Sequence, residues 1–431
     1  MNIDKLLSNS FEKIDQCRKV SSDTYDEAWA NIQKKKNSCS KGRKIDLHLS
    51  FKEFAVVAAF ILLLVLVPTI SSYYNNHNNS SKNDPIKETT GTTINNPSNI
   101  KPGEITTPKE TTNTTSSNSE LALYYPFIEN IRLTYTGNGM EYASYKTTVD
   151  FINNNRIQLR VDNPGTTSIK VLEIKDGELR LMTSIGEAYY RDNLTTVQNA
   201  NPEILLKEPL VKGTTWTVSD GKKRFISNKE VPISTPAGSF NCLEVTTEGK
   251  NFKELAYYSP NVGLIKTVYI GSDNFEITST LSKIEKNTPF AQQIKFYYGD
   301  VVNDKLVYVT KNVIFKTNDI TRKIFEDLFK EAPDKNLVTI SKNTKINSLY
   351  LNSTEQMVYI DFSKELMTEM NAGTSKEMVI LDSVTATLGN YYNVNKIYLT
   401  VEGKPYESGH IVKAKGEPFI VNFKNSQEYK K

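Results

Sequence analysis

Cysteine and histidine are scarce in this chain of 431 residues, which contains three of each. They are Cys17, Cys39, Cys242, His48, His77 and His410. Cys17 and Cys39 lack a CxxC pair or a histidine at ligand spacing, so we predict no metal site and no cofactor, and interpret these two as free thiols. Cys242 stands alone in a stretch that alternates apolar and polar residues, where a buried small hydrophobe is expected.

The same scarcity limits catalytic chemistry. Asp361 and Ser363 near a predicted strand end, with Asp382 on a predicted helix, are the only group resembling a carboxylate and a nucleophile. A hydrolase also needs a base, and His410 is the only histidine of the predicted folded units. Asp361 to Ser363 reads as a strand exit with a turn or helix cap. We therefore predict no catalytic residues and no enzyme activity.

Strong charge of one sign is also lacking. The formal net charge is +4, and no long stripe of lysine and arginine interleaved with aromatics appears in the predicted folded part. Because nucleic-acid binding depends on such a basic surface, we predict no nucleic-acid partner.

Only one long apolar run is present, FAVVAAFILLLVLVPTI at residues 54–70. Its length is near the lower limit for a helix that crosses a bilayer, so we predict a single transmembrane helix at 54–72, with the lipid bilayer as its partner. A basic cluster of several lysines and Arg43 precedes the run, whereas Lys82 is the first positive residue after it. The positive-inside rule then makes residues 1–53 a cytoplasmic basic leader and places the folded domains outside the cell membrane.

Residues 73–120 are rich in Asn, Thr and Ser and have few apolar residues, which predicts a disordered linker. Residues 121–286 then show short alternating runs of apolar and aromatic residues between turn signals, such as Ile157 to Val161 and Ile169 to Ile174. Asp176-Gly177 is a strong hairpin signal because both residues tolerate positive φ. We predict a β-rich, antiparallel extracytoplasmic domain, with most of its tyrosines half-buried on the sheet.

Residues 290–412 mix strands with two helical patterns. The first helix is predicted to begin near Asn318 or Asp319 and to end at Pro333, with the apolar stripe Ile320, Ile324 and Leu328. The second covers about 375–391. Helices on one face of a small mixed sheet predict an α+β fold, followed at 413–431 by a C-terminal strand and charged tail.

This unit resembles the GerMN domain of bacterial sporulation and germination proteins over residues 293–411. The resemblance is carried by IKFYYGD, TRKIFEDLFKEAP, MVYIDFSKEL, EMVILDSVTATLGNYYNVNKI and YLTVEGKP, in this order. It implies an α+β fold of the ring-building type, used as a scaffold in the envelope of spore-forming bacteria. Family members are often lipoproteins with paired domains, whereas this chain has one copy and a β-rich neighbour.

The leading hypothesis is therefore a membrane-anchored envelope scaffold that acts by protein–protein binding in sporulation or germination, as a homo-oligomer or with an envelope protein. The alternative is a transmembrane sensor. Its extracellular domains would bind a cell-wall polymer or small molecule, and its leader would act on a cytosolic regulator as in anti-sigma-like proteins.

Overall fold

The computed structural model describes residues 119–218, 221–272, 274–423 and 426–430. The predicted leader 1–53, the predicted transmembrane helix 54–72 and nearly all of the predicted linker 73–120 lie outside these residues. Within the described ranges, no helix is both long and apolar enough to cross a membrane.

The first twelve strands form one antiparallel sheet. In chain order, β1 to β12 are Arg132–Asn138, Tyr145–Asn153, Arg156–Asp162, Thr167–Lys175, Glu178–Ile185, Glu203–Lys207, Thr215–Thr217, Lys223–Thr235, Gly238–Glu248, Phe252–Ser259, Gly263–Gly271 and Glu276–Glu285. A short helix, α1 (Glu120–Tyr124), precedes them, and a 3₁₀ turn (Glu141–Ala143) follows β1. Consecutive strands pair with each other except β6 and β7, which are the two edges of the sheet, and β1 pairs with β12.

Local sequence explains this sheet well. The predicted runs at 157–161 and 169–174 lie inside β3 and β4, and the predicted hairpin at Asp176-Gly177 joins β4 to β5. Both turn residues have positive φ, 54° for Asp176 and 72° for Gly177. The strand and hairpin predictions for this part are therefore confirmed.

The sheet curls until its two edges approach each other. Arg224 on β8 donates to the Glu203 carboxylate on β6 at 2.8 Å, and the Trp216 indole N–H on β7 donates to the Ile204 carbonyl at 3.0 Å. Leu121 of α1 is fully buried in the core that the curled sheet encloses. The edges are thus joined by side chains and not by a backbone ladder.

The C-terminal part contains eight strands in two further sheets and three helices among the described residues. Strands β13 to β20 are Phe290–Asp300, Lys305–Phe315, Ile346–Asn352, Met357–Phe362, Lys396–Val401, Lys404–Pro405, Phe419–Ile420 and Gln427–Glu428, and helices α2 to α4 are Thr321–Phe329, Glu365–Thr368 and Thr374–Tyr392. One sheet has the order β13-β14-β20. The other has the order β15-β16-β17-β18, with β19 paired to β17.

Helix α4 is the centre of this part. Every residue from Val379 to Gly389 is buried, so the helix is covered around its whole circumference. Ile380, Leu381, Val384 and Leu388 pack in one core with residues of β16 and β17. On another side Val379 and Ala386 pack with Tyr297 and Leu306 of the β13–β14 hairpin.

Both predicted helices are present, but the start and the buried face of the first differ from the prediction. Helix α4 matches the predicted 375–391 closely. Helix α2 begins after Ile320, which is exposed, and buries Phe325 and Phe329 where Ile320, Ile324 and Leu328 were predicted. The aromatic side chains take the inner positions because both pack against Phe296 of β13, Phe325 with a tilted ring and Phe329 edge-on.

The predicted fold class, an α+β GerMN-like domain preceded by a β-rich domain and a single transmembrane helix, is wrong as a description of the fold. The described part of the chain is mostly β, with 49% of residues in strands and 13% in helices. Two causes are visible. The antiparallel sheet is larger than the sequence runs suggested, and the longest helix is a buried core element and not a layer on one face of a sheet.

A buried ionic cluster connects the twelve-stranded sheet to the C-terminal part. The Arg160 guanidinium donates to the Asp150 carboxylate at 3.0 Å, and both side chains are almost fully buried. Arg191, also buried, donates to the Asp150 carbonyl at 2.7 Å and to the carbonyls of Lys316 and Asp319. The Arg191 guanidinium therefore donates to carbonyls of both parts of the molecule, and its Nε lies 3.6 Å from the Asp150 carboxylate.

Candidate interaction surface

Three tyrosines lie side by side on the outer face of the sheet β15-β16-β17. Tyr350 and Tyr359 are cross-strand partners whose rings stack at 5.1 Å with 4° between their planes. Tyr398 meets Tyr359 edge-on at 5.3 Å across the parallel pair β16–β17. We call Tyr350, Tyr359 and Tyr398 the tyrosine face.

Strand alternation puts these rings outside. On β16, Val358, Ile360 and Phe362 are fully buried against α4, so Tyr359 between them points to the opposite side. The same holds for Tyr398, which lies between the buried Ile397 and Leu399. Tyr350 is 48% exposed, and the other two are half-buried by their neighbours in the stack.

The tyrosine face has a fixed polar border. The Tyr359 hydroxyl donates to the Glu355 carboxylate, and this bond, with desolvation, raises the pKa of Tyr359 to about 12. The Asp361 carboxylate accepts from the Thr400 hydroxyl at 2.6 Å, the Gly403 amide at 2.7 Å and the Asn347 amide at 2.9 Å. The hydroxyl of Tyr359 is therefore protonated and held in place at neutral pH, as a contact surface needs.

The residues considered for catalysis do not converge on one site. Asp361 is used to join β15, β16 and the turn after β17. The Ser363 hydroxyl accepts from the Lys345 amide at 3.0 Å. Asp382 is buried on α4, which packs on the inner face of the sheet, opposite to Asp361. His410 is exposed in the loop after β18. The absence of catalytic and cofactor residues stays a prediction.

The tyrosine face was not identified from the sequence, although a signal is present. In three strands a tyrosine stands between two aliphatic residues, as LYL at 349–351, VYI at 358–360 and IYL at 397–399. With the aliphatic residues in the core, each tyrosine must be outside. Only the pairing of the strands, which the sequence does not supply, shows that the three rings are adjacent.

A family model, Germane, described as sporulation and spore germination, matches residues 295–407. The predicted resemblance over 293–411 is thereby confirmed, and the matched segment includes the whole tyrosine face. No curated protein sequence matches the chain.

Solved structures similar to parts of the chain come from several bacteria. The tandem GerMN domains of the sporulation protein GerM from Bacillus subtilis share 21% identity over 32% of this chain, with a TM-score of 0.24, and the match covers 47% of that chain. An exported protein with a YmcC-like fold from Bacteroides fragilis shares 13% identity over 38% of this chain and 99% of its own, with a TM-score of 0.26. A lipoprotein from Parabacteroides distasonis shares 17% identity over 38% of this chain and 98% of its own, with a TM-score of 0.24.

Proposed function

We propose that this protein is an extracytoplasmic scaffold of the envelope of a spore-forming bacterium, and that its tyrosine face binds a further copy or another envelope protein. The observation that carries the proposal is the exposed tyrosine stack on the domain that matches the sporulation and germination family. The protein acts by binding and performs no chemical step.

The physical properties of the face support a contact role. Tyrosine is enriched in protein interfaces because it offers a large rigid area with a polar tip. The rings are supported from below by a core that is fully buried, so little conformational entropy is lost on binding. Ile420 on β19, 64% exposed, extends the same sheet beyond Tyr398 with further apolar area.

Attachment to the membrane is the part of the proposal that rests on sequence alone. The uncharged apolar run at 54–70 supports anchoring, and the preceding basic residues support a cytoplasmic leader. The folded parts then act outside the cytoplasm. Fractionation of the full chain tests this point, because an anchored chain stays with membranes after a carbonate wash and a soluble one does not.

The contact role is tested with the double variant Tyr350→Ser/Tyr398→Thr of the full chain. The matched control is Tyr189→Ser, which removes a tyrosine with 50% exposure from the other part of the molecule. Two quantities are measured in a spore former that depends on this protein, the titre of heat-resistant spores and the copy-to-copy cross-links in its membranes. We expect the double variant to lower the spore titre, and its cross-linked species to disappear or to shift to lower mass. The control should behave like wild type in both measurements. Normal spore titres in the double variant, at normal protein level, would overturn the proposal.

Deletion of residues 1–33 separates this role from the sensor alternative. A scaffold keeps its function without them, provided that the basic cluster and the apolar run remain. A sensor that acts on a cytosolic regulator loses its function, and that result would replace the scaffold by the alternative.

A further inference from the structure

Lys170 occupies an unusual place inside the curled sheet. It lies on β4 between its cross-strand partners Leu159 and Ser184, on the inner face. Within the described ranges its ammonium forms no hydrogen bond and no ion pair, and the Ser184 hydroxyl beside it, 1% exposed, also has no partner. A buried donor without an acceptor is costly, so the Ser184 hydroxyl, beside the half-buried Lys170, points to something that is bound there.

The charge near Lys170 is not balanced by the protein. Glu203 on β6, opposite Leu181 of β5, is the carboxylate that acts on Lys170. Its carboxylate already accepts from the Arg224 guanidinium at 2.8 Å. One carboxylate therefore faces two cations, so these three side chains carry one surplus positive charge.

The walls around this charge are apolar and aromatic. Leu133, Leu159, Leu264 and Ile284 pack against the same core and are half-buried. Four tyrosines continue the lining, with rings of Tyr135 and Tyr145 stacked at 4.4 Å and rings of Tyr125 and Tyr258 at 6.5 Å. Tyr258 interacts electrostatically with both Arg224 and Glu203, which places the aromatic lining next to the charged group.

We propose that the interior of the twelve-stranded sheet binds an amphiphilic anion, an acyl chain with a carboxylate or phosphate head. The head accepts hydrogen bonds from Lys170 and Ser184, and the chain contacts the leucines and tyrosines. The surplus charge selects an anion, and the apolar lining selects a hydrocarbon chain. This binding site is separate from the tyrosine face and goes beyond the proposed scaffold function.

The test uses the full chain in nanodiscs of neutral phosphatidylcholine. The fluorescence measured with empty discs is subtracted. The probe is 11-(dansylamino)undecanoic acid, displaced by dodecanoate, dodecyl phosphate or dodecanol. The variant is Lys170→Met, and the matched control is Lys175→Met, which removes an exposed lysine from the same strand. All variants share residues 54–70, so a difference between them isolates the interior of the sheet.

We expect Lys170→Met to weaken dodecanoate binding by about tenfold or more, as for loss of a charge-assisted hydrogen bond, with the control unchanged. Dodecanol is expected to bind wild type more weakly than dodecanoate does and to be insensitive to Lys170→Met. Whichever of dodecanoate and dodecyl phosphate binds wild type with the higher affinity identifies the preferred head group. Ser184→Ala gives a second, smaller loss. Equal affinities of Lys170→Met and its control for both anions, at unchanged near-ultraviolet circular dichroism, would overturn the proposal.

Discussion

At the scale of single residues, the structure places several polar groups where they cost free energy unless they have partners. Asp150 and Arg160 meet this requirement fully, because the guanidinium also donates to the carbonyls of Ala188 and Tyr190. Lys170 does not meet it within the protein. Burial lowers the pKa of its ammonium, and the attraction of Glu203 opposes this shift only in part.

The lowered pKa of Lys170 has a consequence for stability. The unfolded lysine has a pKa of 10.5, so between the lower folded pKa and 10.5 the unfolded state binds more protons, and stability rises with pH. Below that window the ammonium is charged in both states, and its desolvation cost is paid in full. We therefore expect Lys170→Met to raise the free energy of unfolding at pH 7 by on the order of 1 kcal/mol. The gain shrinks as the pH approaches 10.5.

Urea unfolding of wild type and Lys170→Met at several pH values measures this difference without ligand, and Lys175→Met serves as the control. Tyrosines that titrate in the same range cancel, because they are common to all three proteins. If the gain in free energy of unfolding stays constant from pH 7 to 10.5, then removal of the buried ammonium charge is not its cause.

Single residues also show where sequence reasoning succeeds. Cys242 was predicted to be a buried small hydrophobe, and it is fully buried, with desolvation raising the pKa of its thiol to about 11. Alternation along one strand was enough for that prediction. The inward lysine on β4 could not be predicted in the same way, because a lysine in an alternating strand is expected to be on the outer side.

At the scale of elements, helix α4 depends on small polar residues for its close fit. The Thr387 hydroxyl accepts from the Tyr297 amide of β13 at 2.9 Å and donates to the Ser383 carbonyl one turn earlier at 2.8 Å. Gly299 on the same strand has no room for a side chain, since a Cβ would lie 2.2 Å from a methyl of Val379. The helix and the β13–β14 hairpin are thus in backbone contact.

We expect Thr387→Val to destabilise the protein by about 1 to 3 kcal/mol, because it leaves the buried Tyr297 amide without an acceptor. The matched control is Thr385→Val on the same helix, whose hydroxyl only donates to the Asp382 carbonyl within the helix. The control should lose less, since its substitution leaves no strand amide unpaired. Midpoints of urea unfolding at constant slope give both values, and equal losses would contradict the role of the Thr387 contact.

The position of these elements was only partly predictable. Periodicity located α4 because apolar residues at three- and four-residue steps fix one buried face, but Ser383, Thr385 and Thr387 on its other sides suggested exposure. They are buried because a second sheet covers them. This is one of the two causes of the wrong fold-class prediction, since local patterns do not report which sheets meet across a helix.

At the scale of the molecule, contacts between the twelve-stranded sheet and the C-terminal part are numerous and buried. One such contact is the buried ionic cluster described above. In a second, the Asn130 amide donates to the Thr317 hydroxyl and the Thr317 amide donates to the Asn130 side-chain oxygen, both at 2.9 Å. The Arg191 amide donates to the Tyr391 hydroxyl at 2.8 Å, on the last turn of α4. The predicted domain boundary between 286 and 290 stays a prediction, but hydrogen bonds cross it at several places.

Because these hydrogen bonds are buried or partly buried and include those of the Arg191 guanidinium, we expect both parts to unfold in one cooperative transition. In a Trp29→Phe background, fluorescence reports Trp216 alone, which lies in the twelve-stranded sheet. Thr387→Val changes only the C-terminal part, yet it should lower the midpoint seen by Trp216 as much as the midpoint seen by circular dichroism.

Asp150→Asn tests the connection itself. It removes the carboxylate shared by Arg160 and Arg191 and leaves two buried guanidinium groups, so we expect a loss of about 3 to 5 kcal/mol. If the cluster is what makes unfolding cooperative, the Trp216 midpoint should no longer respond to Thr387→Val in the Asp150→Asn background. Two separate transitions already in the wild type would instead mean that the contacts are made between parts that fold independently. In that case a partner bound at the tyrosine face would have no effect on the interior of the curled sheet.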